Sequence, residues 1–184
     1  MSSSTATRLL TFDEFERMSD YPGKQELLRG KLSELPPPKL KHNRIAHRIY
    51  ERLKSIVAEA HTRGDVAKLG EVWHEMGYRF EDDSWLLPDV SITHAGQKSN
   101  DYLLGSPALA VEVISEGPSA DYIDSKIKHY LDHGALQVWV VYPNRRYLWI
   151  YETGGKGEMR SGSFISDLLG GATIDLNQLF GPEN

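Results

Sequence analysis

The chain has 184 residues, 40% of them hydrophobic and 26% charged, the balance of a sequence that buries a core without staples rather than one that stays disordered. It has no cysteine, which excludes a disulfide framework and any thiolate metal site and is compatible with a reducing compartment. Its formal net charge of −5 argues against a protein that coats nucleic acid through its whole surface.

Met1 to Thr7 is small and polar and lacks the apolar stretch of a signal peptide. No run approaches the ~20 apolar residues that cross a bilayer. The expectation is a soluble cytoplasmic protein with one domain over residues 1–184, a core over about 12–151, and a flexible start at 1–7.

In chain order, Thr11-Phe12-Asp13-Glu14-Phe15 reads as a short helix, with Thr11 and Glu14 spaced as a capping box, and Tyr21-Pro22-Gly23 follows as its end. Glu26 to Leu35 reads as two short strands around Gly30, stopped by Pro36-Pro37-Pro38. Ile45, Ile49, Leu53, Ile56, Val57 and Ala60 recur at helical spacing, and Gly64 closes that helix. Val72 to Phe80 and Trp85 to Thr93 predict a meander joined by Glu81-Asp82-Asp83. Ala108 to Ile114 is a nearly continuous apolar run, as in a strand buried on both faces. A second helix is expected from about Ser119 to His133, ended by Gly134. Val138 to Tyr142 and Tyr147 to Glu152 are further strands, joined by a turn at 143–146. Gly154 to Gly157 reads as a loop, and the weakly patterned tail from Phe164 to Phe180 is expected to pack on an edge. The sum is an α/β chain, a central mixed sheet flanked by helices, with a βαβ crossover from 108–114 through the second helix to 138–142.

Three charged residues break local rules. Glu112 lies inside Leu109-Ala110-Val111-Glu112-Val113-Ile114, and a carboxylate in a buried strand is costly unless paired or metal-bound. Asp89 follows Pro88 and alternates with Val90 and Ile92, so it and Ser91 face the other side of the strand. Lys126 stands three residues after Ile123 and four before Tyr130, on or beside the inward stripe of the second helix, where it needs a carboxylate partner. Lys128 points away, within reach of Asp124. A structural ion pair for Glu112 and a lysine that snorkels to the helix edge are the competing readings. Two acids on strands and one lysine suit metal-assisted phosphodiester hydrolysis, with Mg²⁺ held by carboxylates and waters and an ammonium that balances charge. Glu26 is a further acid. His42 starts the long helix on its inner side, as a pocket residue or a helix cap. His61, His74, His94, His129 and His133 show no zinc spacing. Trp73, Trp85, Trp139 and Trp149 fall in strands and read as core residues.

Between Pro36 and Lys54 lie Lys39, Lys41, Arg44, Arg48, Arg52 and Lys54, opposed by Glu51 alone. Such a strip on an acidic body binds a polyanion or is a solvated helix face.

The ordered series Glu26-Leu27-Leu28-Arg29-Gly30, Pro36-Pro37-Pro38 with His42, Pro88-Asp89-Val90-Ser91-Ile92, Val111-Glu112-Val113-Ile114-Ser115, then Lys126 with Tyr130, Gly134 and Val138-Trp139-Val140-Val141 resembles the Uma-two family of restriction-endonuclease-like proteins, within the PD-(D/E)XK nuclease superfamily, from about Phe12 to Tyr151. The resemblance implies a restriction-endonuclease-like core, a Mg²⁺- or Mn²⁺-dependent endonuclease acting most readily on DNA, Asp89 and Glu112 as metal ligands and Lys126 as catalytic lysine. It adds Glu26 as an acid and His42 as a pocket residue. Lys39, Lys41, Arg44 and Arg48 are then the nucleic-acid contacts, and a homodimer would align two such strips. This chain departs from the pattern at four places: Ile114 stands where the plain motif has its lysine, Tyr122 where the family has an aspartate, Leu87 where it has an arginine and Gln25 where it has an aromatic residue. A non-catalytic binding or scaffold module on the same fold, and an enzyme acting on RNA or another phosphodiester, are the alternatives.

Overall fold

The structure, a computed structural model, describes residues 8–18, 21–115 and 119–182; the expected flexible start at 1–7 lies outside them. The first helix, α1 (Phe12–Glu16), carries the full capping box: the Thr11 side chain accepts the Glu14 N–H, and the Glu14 carboxylate accepts the Thr11 N–H at 3.0 Å. Strands β1 (Lys24–Leu28) and β2 (Lys31–Leu35) form an antiparallel hairpin. Its two-residue turn has φ of 52° at Arg29 and 73° at Gly30, the left-handed pair whose twist suits a tight hairpin. After the prolines, α2 (Leu40–Arg63) runs to Gly64, a left-handed cap at φ 78°.

The expected meander has the right direction but is not continuous. Its first limb splits into β3 (Leu69–His74) and β4 (Tyr78–Arg79), its second into β5 (Trp85–Leu86) and β6 (Val90–His94). The limbs stay side by side, Trp73 opposite Ser91 and Tyr78 opposite Leu86, but the ribbon turns a corner at 75–77 and 87–89 and its two halves join different sheets. At the corner Glu75 holds a left-handed φ of 50°, and its N–H donates to the Asp89 carbonyl at 3.1 Å. A Cβ on Gly77 would sit 1.9 Å from the Trp85 ring, so the corner closes on a glycine. Pro88, with no N–H to give, breaks the ladder on the other limb.

The chain continues through β7 (Leu103–Leu104), β8 (Leu109–Val113), α3 (Ala120–Asp132), β9 (Gln137–Tyr142), β10 (Tyr147–Glu152), β11 (Gly157–Ser161), β12 (Ser163–Ser166), β13 (Ala172–Asp175) and α4 (Leu176–Phe180). The main sheet has the order β11-β10-β9-β8-β6-β3, and a second sheet the order β2-β1-β5-β4-β7. β8 and β9 are parallel and joined by α3, the expected crossover, whereas β6 pairs antiparallel with β8, so the main sheet is mixed. Alternation divides its side chains between two helices: Val111, Val113, Trp139 and Val141 pack with α2, and Ala110, Val138 and Val140 with α3.

The tail differs from expectation. It adds strands β12 and β13 and sends Phe164, Ile174, Leu176 and Leu179 into the α2-side core rather than onto an edge. Of the tryptophans, Trp139 is fully buried and the other three are half-buried. Among the described residues, no helix is long and apolar enough to cross a membrane.

Candidate active site

The register Val90–Val111 and Ser91–Ala110, continued by one residue, sets Asp89 beside Glu112 on the face that α3 covers. From α3 comes Lys126, 1% exposed, with Nζ 2.7 Å from Glu112 Oε1 and 2.9 Å from Glu26 Oε1. Glu26 arrives from β1 and is wholly buried. Its carboxylate accepts the Leu87 N–H at 2.8 Å and the Tyr122 hydroxyl at 2.5 Å, so the tyrosine that stands for the family's aspartate serves as a donor. Tyr130 donates its hydroxyl to Glu112 Oε1 at 2.9 Å. Asp89 Oδ2 accepts the Val113 N–H at 2.7 Å and lies 3.2 Å from His42 Nε2.

The structure therefore brings Glu26, His42, Asp89, Glu112 and Lys126 together. The cap reading of His42 does not hold: Lys39 is the N-cap, and the His42 ring reaches Asp89. Lysine snorkelling is also excluded for Lys126. Lys128 pairs with Asp132 at 2.8 Å rather than with Asp124, because the next turn offers the closer carboxylate. Sequence reasoning missed Lys24, whose Nζ lies 3.1 Å from Asp89 Oδ1 and 4.0 Å from Glu26 Oε1. A signal existed, since Lys24 and Glu26 are two apart on one strand and share a face.

The three carboxylates do not share the positive charge equally. Burial works to raise the Asp89 carboxyl, but the Lys24 ammonium, helped by His42 and the Val113 N–H, holds it far below the usual carboxylate range. Burial likewise opposes ionisation of Glu26, and Lys126 and Lys24 together outweigh it, so that carboxyl also lies low. At Glu112 burial wins over Lys126 and the carboxyl is raised. Both lysines are held above their ordinary value against burial, Lys24 chiefly by Asp89 and Lys126 chiefly by Glu112. His42 is raised by its bond to Asp89, against burial. Two ammoniums thus face three carboxylates, and Glu112 is the one at which burial is not outweighed.

These groups line a cavity of about 60 Å³ shared by Lys24, His42, Asp89, Glu112, Tyr122 and Lys126, room for a few waters. Glu75, at the left-handed corner, also reaches its wall. The basic strip is divided. Lys41, Arg44 and Arg48 line a separate cleft with Asn144 and Arg146. Lys41 donates to Asn144 Oδ1 at 2.8 Å, and Arg48 to the Phe180 carbonyl at 3.0 Å. Lys39 stays at the helix cap, exposed, beside the residues of that cleft. Arg52 donates to the Thr173 carbonyl at 2.9 Å, and Lys54 lies over the Tyr50 ring.

A mixed sheet with a helix on each face and acids at neighbouring strand positions is the architecture of the restriction-endonuclease-like class. Over residues 12–183 the chain matches the Uma2 family model, described as "Putative restriction endonuclease", and it belongs to that family. Among solved structures it is similar to a crystal structure described as a "putative nuclease" from Anabaena variabilis ATCC 29413, with a TM-score of 0.74 at 20% identity over 93% of this chain and 97% of that one; at that identity the likeness shows the fold. No curated protein sequence matches.

Proposed function

We propose that residues 1–184 form one nuclease domain that hydrolyses phosphodiester bonds in DNA with Mg²⁺ or Mn²⁺. Asp89 and Glu112 hold the ion and Lys126 is the catalytic lysine. The observation that carries this reading is the convergence of Asp89 and Glu112 in one cavity, with the Lys126 ammonium fixed between Glu112 and Glu26.

The residues fit the ion. Among the described residues no three His, Asp or Glu side chains are arranged to hold a metal, but Mg²⁺ binds through one or two carboxylates and keeps its waters. Asp89 and Glu112 offer hard oxygens in a cavity with room for water. Bound there, the ion would polarise the phosphoryl oxygen and acidify a water. The chain does the rest. Lys126 orients the attacking water and balances charge that grows on the phosphate. Glu26, tied by Leu87 and Tyr122, keeps Lys126 aimed. His42 and the Val113 N–H fix the Asp89 carboxylate. Lys39, Lys41, Arg44 and Arg48, joined by Arg146, seat the phosphate backbone, a local basic patch that an acidic protein needs to hold DNA. A homodimer would bring two such seats onto one duplex.

Nicking of supercoiled plasmid tests the proposal. Cleavage is expected with Mg²⁺ or Mn²⁺, none with chelator, and a drop of more than ~100-fold in Asp89→Ala, since even groups that merely orient a metal ligand are worth 10–100-fold. Cleavage of RNA but not DNA would move the substrate and keep the site. No cleavage of either would withdraw the enzyme reading.

One observation favours a second reading, a non-catalytic nucleic-acid-binding or scaffold module: every carboxylate of the cluster already has a protein partner. It predicts that Asp89→Ala leaves function in cells intact. Loss of function at unchanged stability would exclude it.

A further inference from the structure

We infer that Lys24 is a displaceable counter-ion that occupies the metal's side of Asp89 until the metal arrives. The inference rests on the reading above, in which Asp89 and Glu112 hold a divalent ion.

Asp89 presents two oxygens. Oδ2 is taken by the Val113 N–H and by His42. Oδ1 is covered by the Lys24 ammonium at 3.1 Å. An ion bound to Oδ1 would share that oxygen with the ammonium, and a +2 ion and an ammonium on one oxygen repel strongly in a buried site. Lys24 must therefore leave for the ion to enter.

The two lysines of the site differ in whether they are able to leave. Lys126 is held at 2.7 and 2.9 Å by two carboxylates, with 2% of its side chain exposed. Lys24 has one close partner, a second at 4.0 Å and 14% of its side chain exposed. It also lines the same cavity as Asp89 and Glu112. Its four-carbon stem swings an ammonium toward water at little cost, and Lys126 stays to serve the reaction. The exchange has a structural purpose. Without a metal, the departure of Lys24 would leave Asp89 Oδ1 buried with no cation beside it, a destabilising state. With Lys24 in place, the chain folds metal-free, and metal affinity is lowered by the work of displacement.

Calorimetric titration of Mn²⁺ into the wild type, Lys24→Met and Lys24→Gln tests this, after circular dichroism confirms that each is folded. Lys24→Met is expected to bind Mn²⁺ about tenfold or more tightly than the wild type, because a competing charge is gone. Lys24→Gln, which keeps a donor for Asp89 but no charge, is expected to bind more tightly than the wild type too, and it carries the test if Lys24→Met fails to fold. In the wild type, Mg²⁺ should shift the ¹³Cε resonance of Lys24, identified by its loss in Lys24→Gln. Equal or weaker Mn²⁺ binding by the variants, with the wild type binding, overturns the counter-ion role and leaves the metal site standing. No Mn²⁺ binding by any of the three, with or without an oligonucleotide, overturns both.

Discussion

The two faces of the main sheet are cut from alternate residues of the same strands, yet they are different surfaces. Toward α2 the strands present Val90, Ile92, Val111, Val113, Trp139 and Val141, met by Ile45, Ile49 and Leu53 in one apolar cluster. Toward α3 the apolar layer of Ala110, Val138 and Val140 gives way to Asp89 and Glu112, and α3 answers with Lys126. The α2 face supplies stability in the ordinary way, by hydrocarbon burial. The α3 face spends part of its area on a charged cluster that is tolerable only while each member keeps its partner.

Variants sharpen that contrast. Lys126→Ala strips the nearest cation from Glu26 and Glu112 together and is expected to cost about 3–5 kcal/mol in urea unfolding, as broken buried pairs do. Lys126→Met combined with Glu26→Gln and Glu112→Gln should regain most of it, and a single variant that unfolds like the wild type would undo the contrast. Next, Leu53→Ala on the α2 face, where Leu53 is 1% exposed, should cost roughly 2–5 kcal/mol through a cavity and leave Mn²⁺ affinity within about twofold, because distant, independent sites do not couple. Tyr130→Phe, which removes the hydroxyl donated to Glu112, should cost about 1–2 kcal/mol.

The smallest effect concerns pH. His129, at the far end of α3, is 3% exposed, and neither ring nitrogen has a partner. Burial, and then His133, press it from 6.5 down to about 4. A depressed value in the folded state means that its share of stability is whole above pH 6.5 and is lost as pH falls toward 4. His129→Phe should therefore reduce the fall in melting temperature between pH 7 and pH 4.5 by roughly 5 °C, at the few degrees per kcal/mol expected for a chain this size. Equal slopes for the two proteins would assign the acid lability to other groups.

The long helices and the βαβ unit were legible because each has a period that its own residues state. Ile45 to Ala60 repeats at 3.6, and 109–113 is apolar but for Glu112. Asp89, Glu112 and Lys126 were legible as violations of those periods. The corner at 75–77 and 87–89 was not, since Val72 to Phe80 and Trp85 to Thr93 read as unbroken strands and the sheet each half joins is decided by distant partners. β11, β12 and β13 escaped because they are short: β11 is largely exposed, and β12 and β13 together bury only Phe164, Ser166 and Ile174. Lys24 was hidden for the same reason. Next to Gly23 and Gln25 it looks like a surface residue, and it is half-buried only because β1 docks near a carboxylate that follows it by 65 residues.

The corner has one more consequence, in the order of events during synthesis. Lys24 and Glu26 belong to one sheet, Glu112 to the other with Asp89 at its border, and Lys126 to a helix made after both, 100 residues beyond Glu26. A nascent chain that has produced β1 through β8 carries three acids and one ammonium, with the roof of the cavity still unmade. The cluster is complete only when α3 settles over the joined sheets. Prematurely terminated products that stop before α3 therefore hold the acids without the lysine, and a finished site certifies that both sheets and the helix have found one another.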